Sequence, residues 1–127
     1  MKNAASVAEI ARPGASPTSD PRPVDLVHLA RQTLNDRRVE REVLRLFLRQ
    51  SAVQLARLAR AETPAERKMA AHTIVGAARG IGAWEVARLA TEIEQTEPGN
   101  GVDLARLTLA IDEAGAYIHT LLGDDGR

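Results

Sequence analysis

The chain's architecture is clearest in residues 63–82, which read TPAERKMAAHTIVGAARGIG. Thr63, Pro64 and Glu66 form the N-terminal signature of a helix: threonine is the cap, proline takes the first helical position and glutamate completes a capping box. Gly80 and Gly82 are expected to end this helix and to permit a tight turn. These residues therefore predict one helix with well-defined ends.

The predicted helix is apolar on one side and carries a histidine on the other. At 100° per residue, His72, Gly76 and Arg79 fall within about 60° of one another. The residues pointing toward a core are Ala70, Ile74, Ala77 and Ile81. Glycine inside a helix costs about 1 kcal/mol relative to alanine, so Gly76 calls for a close approach by a neighbouring helix or an outside partner. Its position beside His72 favours the partner.

Periodic apolar residues from Val24 onward predict four further helices. A short helix is capped by Asp25 and ends near Asn35, and a long one covers about 36–61. Another runs from Trp84 to about Gln95, and after the break at Pro98–Gly101 the last helix is capped by Asp103. The predicted inward-facing residues are Leu26, Leu29, Ala30 and Leu34; Val43, Leu44, Phe47, Leu48, Leu55 and Leu58; Val86, Leu89, Ala90 and Ile93; and Leu104, Leu107, Ile111, Ala114, Ile118 and Leu121.

Long helices with single apolar faces and short connections predict an all-α fold, an antiparallel up-and-down four-helix bundle. The short additional N-terminal helix is expected across one end. Residues 1–23 are rich in proline and serine and are interpreted as a disordered tail. Residues 24–122 form the bundle, and residues 123–127 form a C-terminal tail.

The amino-acid composition argues against several classes of function. The 127 residues contain no cysteine, and 17 basic residues balance 17 acidic ones, so neither a thiolate metal site nor a nucleic-acid partner is indicated. His28 and His119 have no carboxylate at metal-ligand spacing. The arginines at 37, 38, 41, 45 and 49 are interpreted as a solvated face, and Trp84 as a packing residue. No segment reaches the ~20 apolar residues of a membrane span and no signal peptide is evident, which favours a cytoplasmic protein.

The run from His72 to Gly82 resembles the phosphoacceptor motif of histidine phosphotransfer (HPt) domains, roughly His-x-Leu-Lys-Gly-Ser-Ala-x-x-Leu-Gly. The matching positions are His72, Gly76, Ala78 (or Ala77) and Gly82, with Ile74 and Ile81 at the aliphatic positions, whereas Val75 stands where the family usually has lysine. The resemblance implies that His72 is the phosphoacceptor and that Gly76 leaves room for the partner. Arg79 and Lys68 are candidates to supply the positive charge that the lysine provides in the family.

The same resemblance implies a bacterial phosphorelay carrier, expected to be a monomer, whose partner is the receiver domain of a response regulator or of a hybrid histidine kinase. Magnesium is expected on the receiver, and the chain needs no cofactor of its own. Two other interpretations of the sequence remain. A non-phosphorylated helical adaptor is favoured by Val75, and a structural helical protein with an incidental motif requires Gly76 to face a neighbouring helix.

Overall fold

The computed structural model of the chain describes residues 22–97 and 104–123, and these residues contain five helices and no strand. The helices are α1 (Leu26–Gln32), α2 (Arg37–Arg60), α3 (Pro64–Ile81), α4 (Trp84–Gln95) and α5 (Leu104–Leu122). The predicted all-α class is confirmed.

The four long helices close a ring around one core. α3 packs against α2 and α4, and α5 packs against α4 and α2. Residues 61–63 alone join α2 to α3, and residues 82–83 alone join α3 to α4. Connections this short make neighbouring helices antiparallel. The short helix α1 packs against α3, so the predicted bundle with an additional N-terminal helix is confirmed.

The core is aliphatic, with one aromatic ring at its centre. Its largest fully buried side chains come from all five helices and include Leu29, Phe47, Ile74, Ile81, Leu89, Ile93, Leu107 and Ile118. Burying one such side chain contributes roughly 1.5–3 kcal/mol relative to leaving it exposed. The predicted inward-facing residues are buried or half-buried, with one exception in the segment after α1.

That exception is Leu34, which is 86% exposed. The helix α1 ends at Gln32, earlier than expected, and Thr33 is its C-cap. Leu34 and Asn35 then adopt left-handed backbone conformations, with φ of 54° and 61°. The predicted inward position of Leu34 is therefore wrong, because the chain leaves the helical path one residue before it.

Side-chain caps begin α1, α2 and α3. The side chains of Asp25, Asp36 and Thr63 each accept a hydrogen bond from a backbone N–H of the first turn. The Glu66 carboxylate reaches back to the N–H of Glu62 at 2.8 Å, one residue before the cap itself. The predicted start of α3 is confirmed, with this one-residue shift in the capping box.

The two glycines expected to end α3 have different positions. Gly82 is the C-cap, with φ of 78°, and its N–H bonds the carbonyl of Arg79. Gly80 lies inside α3 and is exposed. Its predicted role as a helix terminator is wrong, since Gly82 alone provides the left-handed residue that ends the helix.

Helix α1 is fastened to the turn between α3 and α4. The N–H of Asp25 bonds the Gly82 carbonyl at 3.0 Å, and the Asp25 carboxylate accepts the indole N–H of Trp84 at 3.0 Å. His28 donates from Nε2 to the Arg79 carbonyl at 2.8 Å, and its ring meets Trp84 edge-on. Trp84 is therefore a packing residue, as predicted, and α1 holds the C-terminal end of α3 in place.

Some sequence-based predictions fall outside the described residues. They concern most of the N-terminal tail (residues 1–21), the break at Pro98–Gly101, the Asp103 cap and residues 124–127 of the C-terminal tail. Within the described ranges, none of the helices combines the length and the apolar character needed to cross a bilayer.

Alanine at positions 82 and 80 should have opposite effects on the free energy of unfolding. A Cβ at Gly82 would lie 2.7 Å from the Cβ of Asp25, and φ is left-handed there, so we expect Gly82→Ala to destabilise the bundle by at least about 1–2 kcal/mol. A Cβ at Gly80 meets nothing within 4 Å, so Gly80→Ala should stabilise it by up to about 1 kcal/mol. Urea unfolding followed by circular dichroism measures both, and equal effects of the two substitutions would contradict this account of the turn.

Candidate functional site

His72 lies on the strip of α3 that faces solvent, and its side chain is 75% exposed. The opposite face of the helix packs in the core. Its buried residues are Ala70, Ala71, Ile74, Val75, Ala78 and Ile81. The predicted exposure of His72 is confirmed, and its ring is open to a partner of substantial size.

A carboxylate from the next helix orients the imidazole. Nδ1 of His72 lies 2.9 Å from Oε2 of Glu94, whose side chain is 28% exposed. A carboxylate can only accept a hydrogen bond, so the proton of the neutral ring belongs on Nδ1. The lone pair is then on Nε2, which has no hydrogen-bond partner in the described part of the chain. The hydrogen bond at Nδ1 thus fixes the tautomer of the ring and leaves Nε2 as the nucleophile.

Glu94 was not among the residues predicted from the sequence, although a signal for it exists. The helices α3 and α4 form an antiparallel pair with its turn at Gly82 and Ala83. His72 lies ten residues before Gly82, and Glu94 lies eleven residues after Ala83. Residues at nearly equal distances from the turn of such a pair lie close together, so this count points to the residues around Ile93 and would have brought Glu94 into consideration.

Gly76 leaves open space one turn after His72. A Cβ built at this position meets no atom within 4 Å, so no neighbouring helix uses the room that the glycine provides. A structural protein with an incidental motif needed Gly76 to face a neighbouring helix, and the structure removes that support. The space is open to a partner that approaches from outside the described fold.

Lys68 and Arg79 are exposed on the same helix, one turn before His72 and two turns after it. Within the described residues, neither side chain has a hydrogen bond or ion pair with another group. Both cations are therefore available near the imidazole, in the positions that the sequence analysis gave them. They lie on opposite sides of His72 along the helix axis.

Val75 does not belong to this surface. Its side chain is 4% exposed and is part of the hydrophobic core. The resembled motif has a lysine at this position, and the valine was therefore interpreted as the loss of a positive charge at the site. The fold gives valine a packing role there, because burying an aliphatic side chain is favourable and burying a cation is costly.

The outer face of α4 carries an ion-pair network beside the site. Arg88 bonds Glu85 at 2.6 Å and Glu92 at 2.8 Å. The hydrogen bond from Arg88 lowers the pKa of Glu85, and the same bond raises the pKa of Arg88. Glu94 takes no part in this network, so its carboxylate remains directed to His72.

The other predicted residues lie apart from the site. His28 bonds the end of α3, and His119 is on α5. The described residues contain no group of three or more histidine, cysteine, aspartate or glutamate side chains that could hold a metal ion. Arg41, predicted to be part of a solvated face, is half-buried and donates to the Leu122 carbonyl at 3.0 Å.

Comparison with known proteins gives one family. The family model described as the Hpt domain matches residues 42–117, which is more than half of the chain and includes both His72 and Glu94. No curated protein and no solved structure matches the chain.

Removal of the Glu94 carboxylate should change the tautomer of His72. In Glu94→Ala, Nδ1 loses its acceptor, and we expect the ring to shift toward the form protonated on Nε2. The ¹⁵N chemical shifts of the two ring nitrogens, measured where the ring is neutral, report this directly. Glu92→Ala is the matched control, because Glu92 is on the same helix and bonds Arg88 instead. A wild-type ring already protonated on Nε2 would contradict the assignment.

Proposed function

The chain belongs to the Hpt domain family, and we propose that it is a phosphorelay carrier with His72 as its phosphoacceptor. Members of this family are phosphocarriers in two-component signalling, and they interact with response-regulator receiver domains. In the proposal, the aspartyl phosphate of a receiver domain donates to His72, which passes the group to another receiver or back to the first. The observation that carries the proposal is the exposed imidazole, with Nδ1 bound to Glu94 and Nε2 free.

The transfer step follows from that geometry. The Nε2 lone pair attacks phosphorus in line as the bond from phosphorus to the aspartyl oxygen breaks, and the carboxylate leaves with the electron pair. The reacting nitrogen has no proton to lose. The phosphorylated ring keeps its proton on Nδ1 and gains positive charge, which the Glu94 carboxylate faces through the Nδ1–H bond. Glu94 thus stabilises the product as well as the tautomer that reacts.

Space and charge around His72 fit a receiver domain as donor. Gly76 leaves room for the phosphorylated aspartate of the receiver to approach the ring, and Lys68 and Arg79 attract the anionic phosphoryl group. An exposed cation at such range contributes about 0.2–1 kcal/mol, so each changes the rate of transfer by a few-fold at most.

We assign magnesium to the receiver and no cofactor to this chain. A receiver within a hybrid histidine kinase is a second donor that the proposal includes, and the carrier is proposed to act as a monomer in the bacterial cytoplasm.

The adaptor interpretation is supported by Val75 in place of a lysine, because the buried valine packs in the core but supplies no charge to the site. The fixed tautomer favours the carrier instead, since docking alone does not require a free ring nitrogen. Covalent labelling separates the two functions.

Labelling should depend on His72 alone. Incubated with a ³²P-phosphorylated receiver domain, the wild-type chain should take up label that is acid-labile and alkali-stable, and His72→Gln should take up none while keeping its helical circular dichroism. His119→Gln is the matched control and should label like the wild type. Label that persists in His72→Gln would contradict the assignment of the phosphoacceptor, and a wild-type chain that binds receivers but takes no label would be the adaptor.

Bulk at position 76 should block transfer without unfolding the bundle. Gly76→Ala should stabilise the free protein by up to about 1 kcal/mol, since its Cβ meets nothing. Gly76→Gln projects a longer side chain beside the ring, and we expect little or no transfer. Ala116→Gln, at an exposed position on α5, tests whether added bulk elsewhere matters. Transfer by Gly76→Gln at the wild-type rate would show that the glycine does not provide access.

A further inference from the structure

Arg67 ties the start of α3 to the end of α4. Its side chain is half-buried, and Nη1 donates to the carbonyl oxygens of Ile93 and Thr96, each at 2.8 Å. These two carbonyls lie on either side of Glu94 in the chain. A single guanidinium nitrogen therefore holds the backbone that carries the carboxylate bound to His72.

The end of α4 needs such a partner. The last carbonyls of a helix have no intrahelical donor, and the partial negative charge there favours a cation. Helix α4 ends at Gln95, and Thr96 already has extended backbone. The hydroxyl of Thr96 bonds back to the Glu92 carbonyl at 2.8 Å, which leaves the Ile93 and Thr96 carbonyls to Arg67.

We propose that Arg67 is a positioning residue for the phosphoacceptor. By holding the last turn of α4 against α3, it keeps the Glu94 carboxylate on Nδ1 of His72 and so keeps Nε2 free. Arg67 and His72 are five residues apart on α3, and their partners are within one turn of each other on α4. The effect of Arg67 on the ring depends on this fold alone, whereas its consequence for phosphoryl transfer rests on the proposed function.

A second arginine makes a matched control possible. Arg41 donates to the carbonyl of Leu122 at 3.0 Å and so satisfies the end of α5 by the same chemistry. Its partner helix carries no residue that bonds His72 in the described structure. Loss of either arginine removes charge-assisted hydrogen bonding at a helix end, two bonds for Arg67 and one for Arg41, but only Arg67 holds the backbone that carries Glu94.

The first test reads the ring itself. Arg67→Met keeps an unbranched side chain and removes every donor, and we expect the ¹⁵N shifts of His72 to move toward the tautomer protonated on Nε2. Arg41→Met should leave them unchanged. Arg67→Lys retains a charge and a donor and should give an intermediate spectrum. Thermal unfolding verifies that each variant is folded. An unchanged His72 spectrum in both Arg67 variants would overturn the proposal.

The second test is a double-mutant cycle on the rate of transfer from a phosphorylated receiver. Arg67→Met alone should slow transfer by about fivefold, the effect of losing the one hydrogen bond between Glu94 and His72 at ordinary net strength. In a Glu94→Ala background the same substitution should slow transfer little further, because the carboxylate through which Arg67 acts on the ring is already absent. Independent, multiplicative losses would overturn the proposal. A wild-type chain that takes no phosphoryl group would refute the proposed function, whereas the ring spectra would still decide the role of Arg67.

Discussion

The burial of α3 against α2 and α4 is the constraint from which the site follows. One face of α3 packs in the core, through residues such as Ala71, Ile74 and Ala78, which are fully buried. The other face is exposed to solvent, and His72, Gly76 and the two cations lie on it. A helix that is anchored in the core along one face thus carries the reactive side chain on the other.

Local signals in the sequence predicted much of the fold. A capping threonine with proline and glutamate, or an aspartate before an apolar stripe, determines a helix start through contacts within one turn, and these starts were confirmed at Asp25 and Thr63. The errors occurred where the outcome depends on the path of the backbone. Periodicity continued α1 through Leu34, and composition alone could not show that Gly82, without Gly80, ends α3.

The site was predicted in part for the same reason. Exposure of His72 and Gly76 follows from helical geometry, whereas the partners of the ring come from another helix. Glu94 is 22 residues from His72, and Arg67 bonds residues 26 and 29 positions away. Such contacts depend on how α3 and α4 are paired, which the turn at Gly82 determines. Val75 shows the converse, since comparison with a motif identified a missing lysine but could not show that the valine is buried in the core.

The nitrogen of His72 that carries the phosphoryl group tests the central claim most directly. The account holds that Glu94 keeps a proton on Nδ1 and leaves Nε2 to react. The measurement is a combined ¹⁵N and ³¹P NMR spectrum of the chain after incubation with a phosphorylated receiver domain. We predict phosphorus coupled to Nε2 of His72, with Nδ1 still protonated. Phosphorus on Nδ1, or on another residue, would contradict the account.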